Sequence, residues 1–268
     1  MNQQANDVNP TAEVNEREPY PSHPSSPQPI TQVIIQGVKP TFTYGILALT
    51  ILVYIFQAGT DLIFGFDVPA ALGMKVNHLI QQGQVWRLLT PMLLHGSIIH
   101  LALNMYALVI LGQALEPSYG HFRFLLLYLL AGFSGNVFST IFSPHPSLGS
   151  STAVFGLIAA QGVFIYQNRE YFGKRAQRAL TNIILVAVIN FVIGLSPGID
   201  NWGHLGGFLG GTVFAWFGGP LLQGGLRHTQ EGFALILTDE RSVQEQMISA
   251  LTVGTVMVGL VIWYMFLF

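Results

Sequence analysis

No cysteine occurs among the 268 residues. That absence removes disulfide scaffolds, thiolate zinc sites, cysteine nucleophiles and iron–sulfur clusters. Charge is nearly as scarce, with Asp, Glu, Lys and Arg making up 9% of the chain against roughly 25% in an ordinary soluble domain. There is also no excess of basic residues. Eleven Lys and Arg stand against 13 Asp and Glu, a net charge of −2, so nothing is provided to hold a phosphate backbone and no nucleic-acid partner is expected. Any nucleophile must be a hydroxyl, an amine, a carboxylate or water.

What fills the chain is apolar: 51% of residues, with a mean hydropathy of +0.50. Uncharged intervals run over 40–60, 88–115, 124–168, 179–199, 201–226 and 246–268, and a bilayer-spanning helix needs about 20 such residues. The 124–168 interval is long enough for two spans and is divided by Ser143-Pro144-His145-Pro146-Ser147-Leu148-Gly149, a turn that no continuous helix contains. The pattern predicts an all-α membrane protein with seven helices, over about 42–60, 97–115, 122–142, 151–168, 179–196, 203–222 and 247–268.

Residues 1–40 hold seven of the 14 prolines among Asn, Gln, Glu and Ser and are expected to form a disordered cytoplasmic tail. They lack the basic start and apolar core of a signal peptide, so the tail is expected to stay on the mature protein. Residues 41–222 then form the core, 223–246 a cytoplasmic loop, and 247–268 an additional transmembrane helix. The 61–96 connection scatters apolar positions among polar ones and is expected to lie in the membrane interface.

Lys and Arg accumulate in cytoplasmic loops. With the N-terminus inside, the inner segments hold Arg17, Lys39, Arg123, Arg169, Lys174, Arg175, Arg178, Arg227 and Arg241, leaving Lys75 and Arg87 outside. This places the N-terminus in the cytoplasm and, after seven crossings, the C-terminus outside, in an integral multi-pass protein of the cell (inner) membrane.

On that topology His95, His100 and Asn104 lie around the start of the second helix, Ser151 at the start of the fourth and His204 at the start of the sixth. All three helices begin on the outer side, so residues scattered over about 110 positions fall at one depth, as they would around a water-accessible cavity. Polar groups at membrane depth are costly and default to function. Ser151 follows Gly149 where a loop enters a helix whose first N–H groups have no intrahelical partner. An isolated Ser here would more often only cap the helix, and an isolated His204 would more often only pack. Together they supply a hydroxyl and the base that a nucleophilic hydroxyl needs. Gly203, Gly207 and Gly211 on one helix, and Thr152, Gly156 and Ala160 on the other, form small-residue faces that let these two backbones approach. His100 and Asn104, spaced i, i+4, share a face and can donate to an oxyanion, and His95 can orient them. Asp200 can in principle complete a triad, but it sits in the Ser196–Asp200 loop, so a dyad is favoured. No metal site is expected, since no acidic residue stands among the three histidines and no H-E-x-x-H spacing occurs.

Taken in order, these residues resemble the rhomboid intramembrane serine proteases. The likeness covers about residues 42–222 and runs through Trp86-Arg87, H-x4-H-x3-N at His95, His100 and Asn104, G-x3-E-x3-G at Gly112, Glu116 and Gly120, G-x-S at Gly149 to Ser151, and Gly-His-x-x-Gly at Gly203 to Gly207. The resemblance implies a six-helix bundle with a seventh helix added, and a Ser151–His204 dyad. His100, Asn104 and the Ser151 backbone N–H would form the oxyanion hole. The Ala153-Val154-Phe155-Gly156 run selects Ser151 over Ser150. Thr152 departs from the Gly that the family usually places after the nucleophile. The implied activity is cleavage of transmembrane segments of other membrane proteins near the outer face, with lipid as the medium and no cofactor. A catalytically inactive relative that only binds such segments is the alternative. A transporter is disfavoured by the near absence of charge within the spans.

The nine-to-two distribution of Lys and Arg predicts that a reporter inserted between residues 169 and 178 is cytoplasmic and one at His145 is external. The reverse result would put the polar cavity on the inner side.

Overall fold

A computed structural model describes residues 30–35, 37–229 and 232–267. Five of the described helices are long and apolar enough to cross a membrane: α1 (Thr41–Phe64), α4 (Ile98–Tyr119), α5 (His121–Phe142), α8 (Lys174–Ile193) and α10 (Val243–Leu267). Two more, α6 (Ser151–Gln167) and α9 (Asn201–Gly218), are shorter, at 17 and 18 residues. A helix overlaps each of the seven expected intervals, with ends displaced by a few residues, and five of these helices qualify as membrane spans by length and apolarity. The start of α8 at Lys174, five residues before the expected 179, reflects the good helix propensity of Lys, Arg and Gln there. Three short helices, α2 (Val68–Gly73), α3 (Asn77–Gln81) and α7 (Arg169–Phe172), lie in the connections.

The centre of the bundle is α5, α6 and α9. Of the five long apolar helices α5 is the most enclosed and α8 the least. Twelve of the 17 residues of α6 are buried, so its shortness does not matter for solvation: protein, not lipid, surrounds it. The packing of α9 onto α5 and α6 works at backbone range. A methyl group on Gly207 would overlap the Thr152 carbonyl, and one on Gly211 would meet the backbone of Gly156.

At the opposite end from Ser151 the bundle carries a three-stranded sheet, β1 (Ile30–Ile35), β2 (Leu222–Thr229) and β3 (Gly232–Asp239), in the order β1-β3-β2. This corrects the reading of 1–40 as wholly disordered: residues 1–29 lie outside the described residues, but Ile30–Ile35 pairs in parallel with β3. The 223–246 connection is likewise a β2–β3 hairpin and the first turn of α10 rather than a plain loop. Ala234 and Leu237 of β3 are buried. The sheet is pinned to the helices by the Arg123–Asp239 ion pair at 2.7 Å and by Asn168, whose side-chain oxygen accepts from Leu222 N at 2.6 Å.

The start of α1 has an unusual cap. Pro40 offers no side-chain hydrogen bond there, and the buried Glu116 of α4 instead accepts from the backbone N–H of Phe42 at 2.8 Å and of Thr43 at 2.7 Å, and from the Thr43 hydroxyl at 2.6 Å. The helix dipole and the carboxylate charge reinforce this arrangement. His121 Nδ1 closes the group at 2.6 Å from Glu116.

On the other side of the bundle the 61–96 connection is folded back over the ends of the helices. It contains α2, α3 and two 3-10 turns. Lys75 is wholly buried there. Its Nζ donates to the carbonyls of Ser143 at 2.9 Å and His145 at 2.8 Å. Its backbone exchanges two hydrogen bonds with Ser147.

Burial pushes the Lys75 ammonium down from 10.5 to about 8, while the Asp200 carboxylate opposes the shift. Between about pH 8 and about pH 10.5 the unfolded chain holds a proton that the folded chain has released, so the contribution of this group to stability rises with pH. The thermal midpoint of the wild type in detergent, relative to that of Lys75→Met, should therefore move in favour of the wild type from pH 7 to pH 9.5. A difference independent of pH would show that the amine is not desolvated.

Candidate active site

Ser151 opens α6 directly after Gly149 and Ser150. Gly149 has φ +134°, and a Cβ there would lie 2.7–2.8 Å from ring atoms of His100. Only glycine suits both the conformation and the space. The Gly149 N–H donates to the Pro91 carbonyl at 2.9 Å, which holds the entry to α6 against the first connection. As the first residue of α6, Ser151 has a backbone N–H without an intrahelical acceptor.

His204 stands in the first turn of α9, whose N-terminus is capped by Asp200 through the Gly203 N–H at 2.9 Å. His204 Nε2 lies 3.0 Å from Ser151 Oγ. Phe155, one turn after Ser151, stacks on the His204 ring with centroids 4.2 Å apart and planes 15° from parallel. Among the described residues the buried Nδ1 of His204 has no hydrogen-bond partner. Asp200 is spent elsewhere, on Gly203 N–H and on the Ser139 hydroxyl. The arrangement is therefore a dyad in geometry, with an aromatic ring rather than a carboxylate fixing the imidazole plane.

The neighbouring Ser150 meets a different histidine. It is fully buried, its hydroxyl lies 3.2 Å from His95 Nε2, and it makes no side-chain capping bond. His95 is itself held at its backbone N–H by the side-chain Oε1 of Gln57 at 3.0 Å and meets His100 edge-on at 5.0 Å. Thus His95 braces Ser150 and His100. The α4 residues are placed by Ser97, which caps the helix through His100 N at 3.1 Å. Asn104 Nδ2 donates to the His100 carbonyl at 2.9 Å, leaving one amide hydrogen uncommitted.

Ser151, His204, Phe155, Gly149, His100, His95 and Asn104 are thereby gathered at one end of α4, α6 and α9. Gly203 and Gly207 adjoin the group without entering it: both face Thr152. Thr152 itself fits the bundle because Gly135 and Gly203 leave a hollow for its side chain. No group of His, Asp and Glu among the described residues is arranged to hold a metal ion. The sequence reading missed Gln57 and Lys75. Gln57 stood out as a polar residue inside the 40–60 apolar interval, which is the signal that would have found it. Lys75 gave no such signal, because a single Lys in a polar connection reads as solvated.

Comparison with known proteins follows the same residues. A family model described as the rhomboid domain matches residues 82–221. The chain is 44% identical over 183 residues to "Rhomboid protease GluP" of Bacillus subtilis (strain 168), a match covering 68% of this chain and 36% of that protein. It is 35% identical over 173 residues to "RHOMBOID-like protein 9, chloroplastic" of Arabidopsis thaliana, covering 63% and 40%. To "RHOMBOID-like protein 4" of the same plant it is 37% identical over 145 residues, covering 54% and 36%. The chain thus spans well under half the length of these relatives.

The Gly207 contact yields a prediction. Gly207→Ala forces α9 away from the Thr152 carbonyl, and overpacking of this kind costs about 1–3 kcal/mol. A lowered thermal midpoint is expected together with loss of any activity that needs the 3.0 Å Ser151–His204 contact. Wild-type stability in the variant would mean that the helices are not held at backbone range.

Proposed function

The chain belongs to the rhomboid family, and on that premise we propose that it is an intramembrane serine endopeptidase that cuts transmembrane segments of other membrane proteins near the outer face. The observation that carries this reading is the 3.0 Å approach of His204 Nε2 to the Ser151 hydroxyl, at the opening of a helix with unpartnered N–H groups. The name of the Bacillus relative, a rhomboid protease, supports it.

In this reading His204 takes the Ser151 proton at Nε2 as Oγ attacks the scissile carbonyl. The new C–O bond leaves the carbonyl oxygen as an oxyanion, received by the Ser151 backbone N–H, His100 and the free amide hydrogen of Asn104. His204 then gives its proton to the leaving amine. Water repeats the sequence on the acyl-enzyme and releases the acid. Phe155 keeps the imidazole plane aligned, and Gly149 keeps His100 close. With no carboxylate on Nδ1, the imidazolium is stabilised only by its surroundings, so a modest turnover is expected.

A helical substrate hides its carbonyls in hydrogen bonds that lipid gives no means to replace. Local unwinding is required, and substrates with Gly, Pro or polar residues near the cut are favoured. The topology belongs to the same proposal: six core helices and a seventh crossing in the cell membrane, with the N-terminus cytoplasmic, the C-terminus external and the Ser151 end of the bundle on the outer side.

Ser151→Ala and His204→Ala should each abolish cleavage of a model transmembrane substrate in a folded protein, and the double variant should be no worse than either. His100→Ala or Asn104→Ala should lose about 10²–10³-fold. Ser150→Ala should retain activity. Cleavage that survives Ser151→Ala would refute the serine mechanism, and a wild type that binds but never cuts would leave the inactive segment-binding relative.

A further inference from the structure

The segment that delivers Ser151 to the site cannot hold its own shape. Between α5 and α6 the chain runs Ser143-Pro144-His145-Pro146-Ser147-Leu148-Gly149. Two of these seven residues are prolines, which donate no backbone hydrogen bond, and each proline biases the residue before it to an extended conformation. The carbonyls of Ser143 and His145, directly preceding the prolines, accept no backbone hydrogen bond within the turn.

The donor comes from the first connection. Lys75 is among the largest fully buried side chains of the described residues, and its Nζ donates to both of these carbonyls, at 2.9 and 2.8 Å. Asn77, two residues on, adds its amide to the carbonyls of Thr140 at 2.9 Å and Ser143 at 3.1 Å. The backbones of Lys75 and Ser147 exchange two hydrogen bonds, and Gly149 N–H goes to Pro91 further along the same connection. The turn is thus gripped from 143 to 149 by residues outside it.

The same cluster reaches the helix of His204. Ser139 lies 3.4 Å from Ser147, hydroxyl to hydroxyl, and also donates to Asp200, the cap of α9. One buried group therefore adjoins the starts of both helices whose first turns carry the dyad.

We propose that Lys75 is a positioning residue for Ser151, holding the Ser143–Gly149 segment so that the hydroxyl meets His204. The inference rests on the serine hydrolase reading above. Lys75 touches neither Ser151 nor His204 in any hydrogen bond, and it acts through the backbone.

The test is the rate at which purified full-length protein reacts with a fluorescent fluorophosphonate. Lys75→Met should react about 10- to 100-fold more slowly than wild type, the order expected when a reacting atom is displaced by about an ångström. It should still label to the same final stoichiometry, and the KM for a model substrate should be unchanged while kcat falls. A variant that is merely destabilised would lose stoichiometry and keep the wild-type rate in the remaining fraction, and that result, or an unchanged rate, overturns the proposal. If Lys75→Met does not fold, Asn77→Ala, which removes the parallel tie to Ser143, replaces it under the same criteria. A wild type that fails to label at Ser151 overturns the hydrolase reading, and this inference with it.

Discussion

The backbone of α9 lies against the backbone of α6, and the chemistry of the site follows from that contact. At Gly207 there is no room for a methyl group beside the Thr152 carbonyl. Lipid gives helices no hydrophobic reason to associate, so association depends on close packing between small residues. Only at this range do a hydroxyl on the first turn of one helix and an imidazole on the first turn of the other fall within hydrogen-bond distance. The small residues of α9 serve stability and placement at once, and a side chain added to them would disturb both.

The polar groups face a second constraint, that a buried one is costly unless it finds a partner inside the protein. His95, Ser150, Gln57 and Asp67 form a chain of such partners from α1 to the entry of α6. Asp200 is consumed by capping and by Ser139. Among the described residues, the buried atoms left without a hydrogen-bond partner include the Nδ1 atoms of His95 and His204. The His204 imidazole is held instead by the face of Phe155, a contact that fixes orientation without adding charge to a poorly solvated region.

Most of the fold and the core of the site could be read from the sequence, because both are local. Apolar intervals fix helices at a resolution of a few residues, and Gly149-Ser150-Ser151 and Gly203-His204 mark two helix starts by short-range chemistry. What escaped detection depends on partners far along the chain. Ile30–Ile35 looks like part of a proline-rich polar stretch, and its strand exists because β3, some 200 residues later, offers an edge. Lys75 looks solvated until the turn at 143–147 folds over it. The choice of Ser151 over Ser150 was legible only through the resemblance to a family, whereas the structure separates them by burial and by the histidine each one meets.

The cap on α1 bears on the order in which the protein assembles. The carboxylate that satisfies the Phe42 and Thr43 N–H groups is 74 and 73 residues downstream, on α4. When α1 leaves the ribosome its first turn is therefore bare, and the residue that completes it has yet to be made. Until α4 arrives, those N–H groups must stay with water at the membrane surface, which keeps α1 from settling to its final depth. Arrival of Glu116 releases that water and sets α1 and α4 in register in a single event. α1, though synthesised before α4, is thus fixed in place only with it.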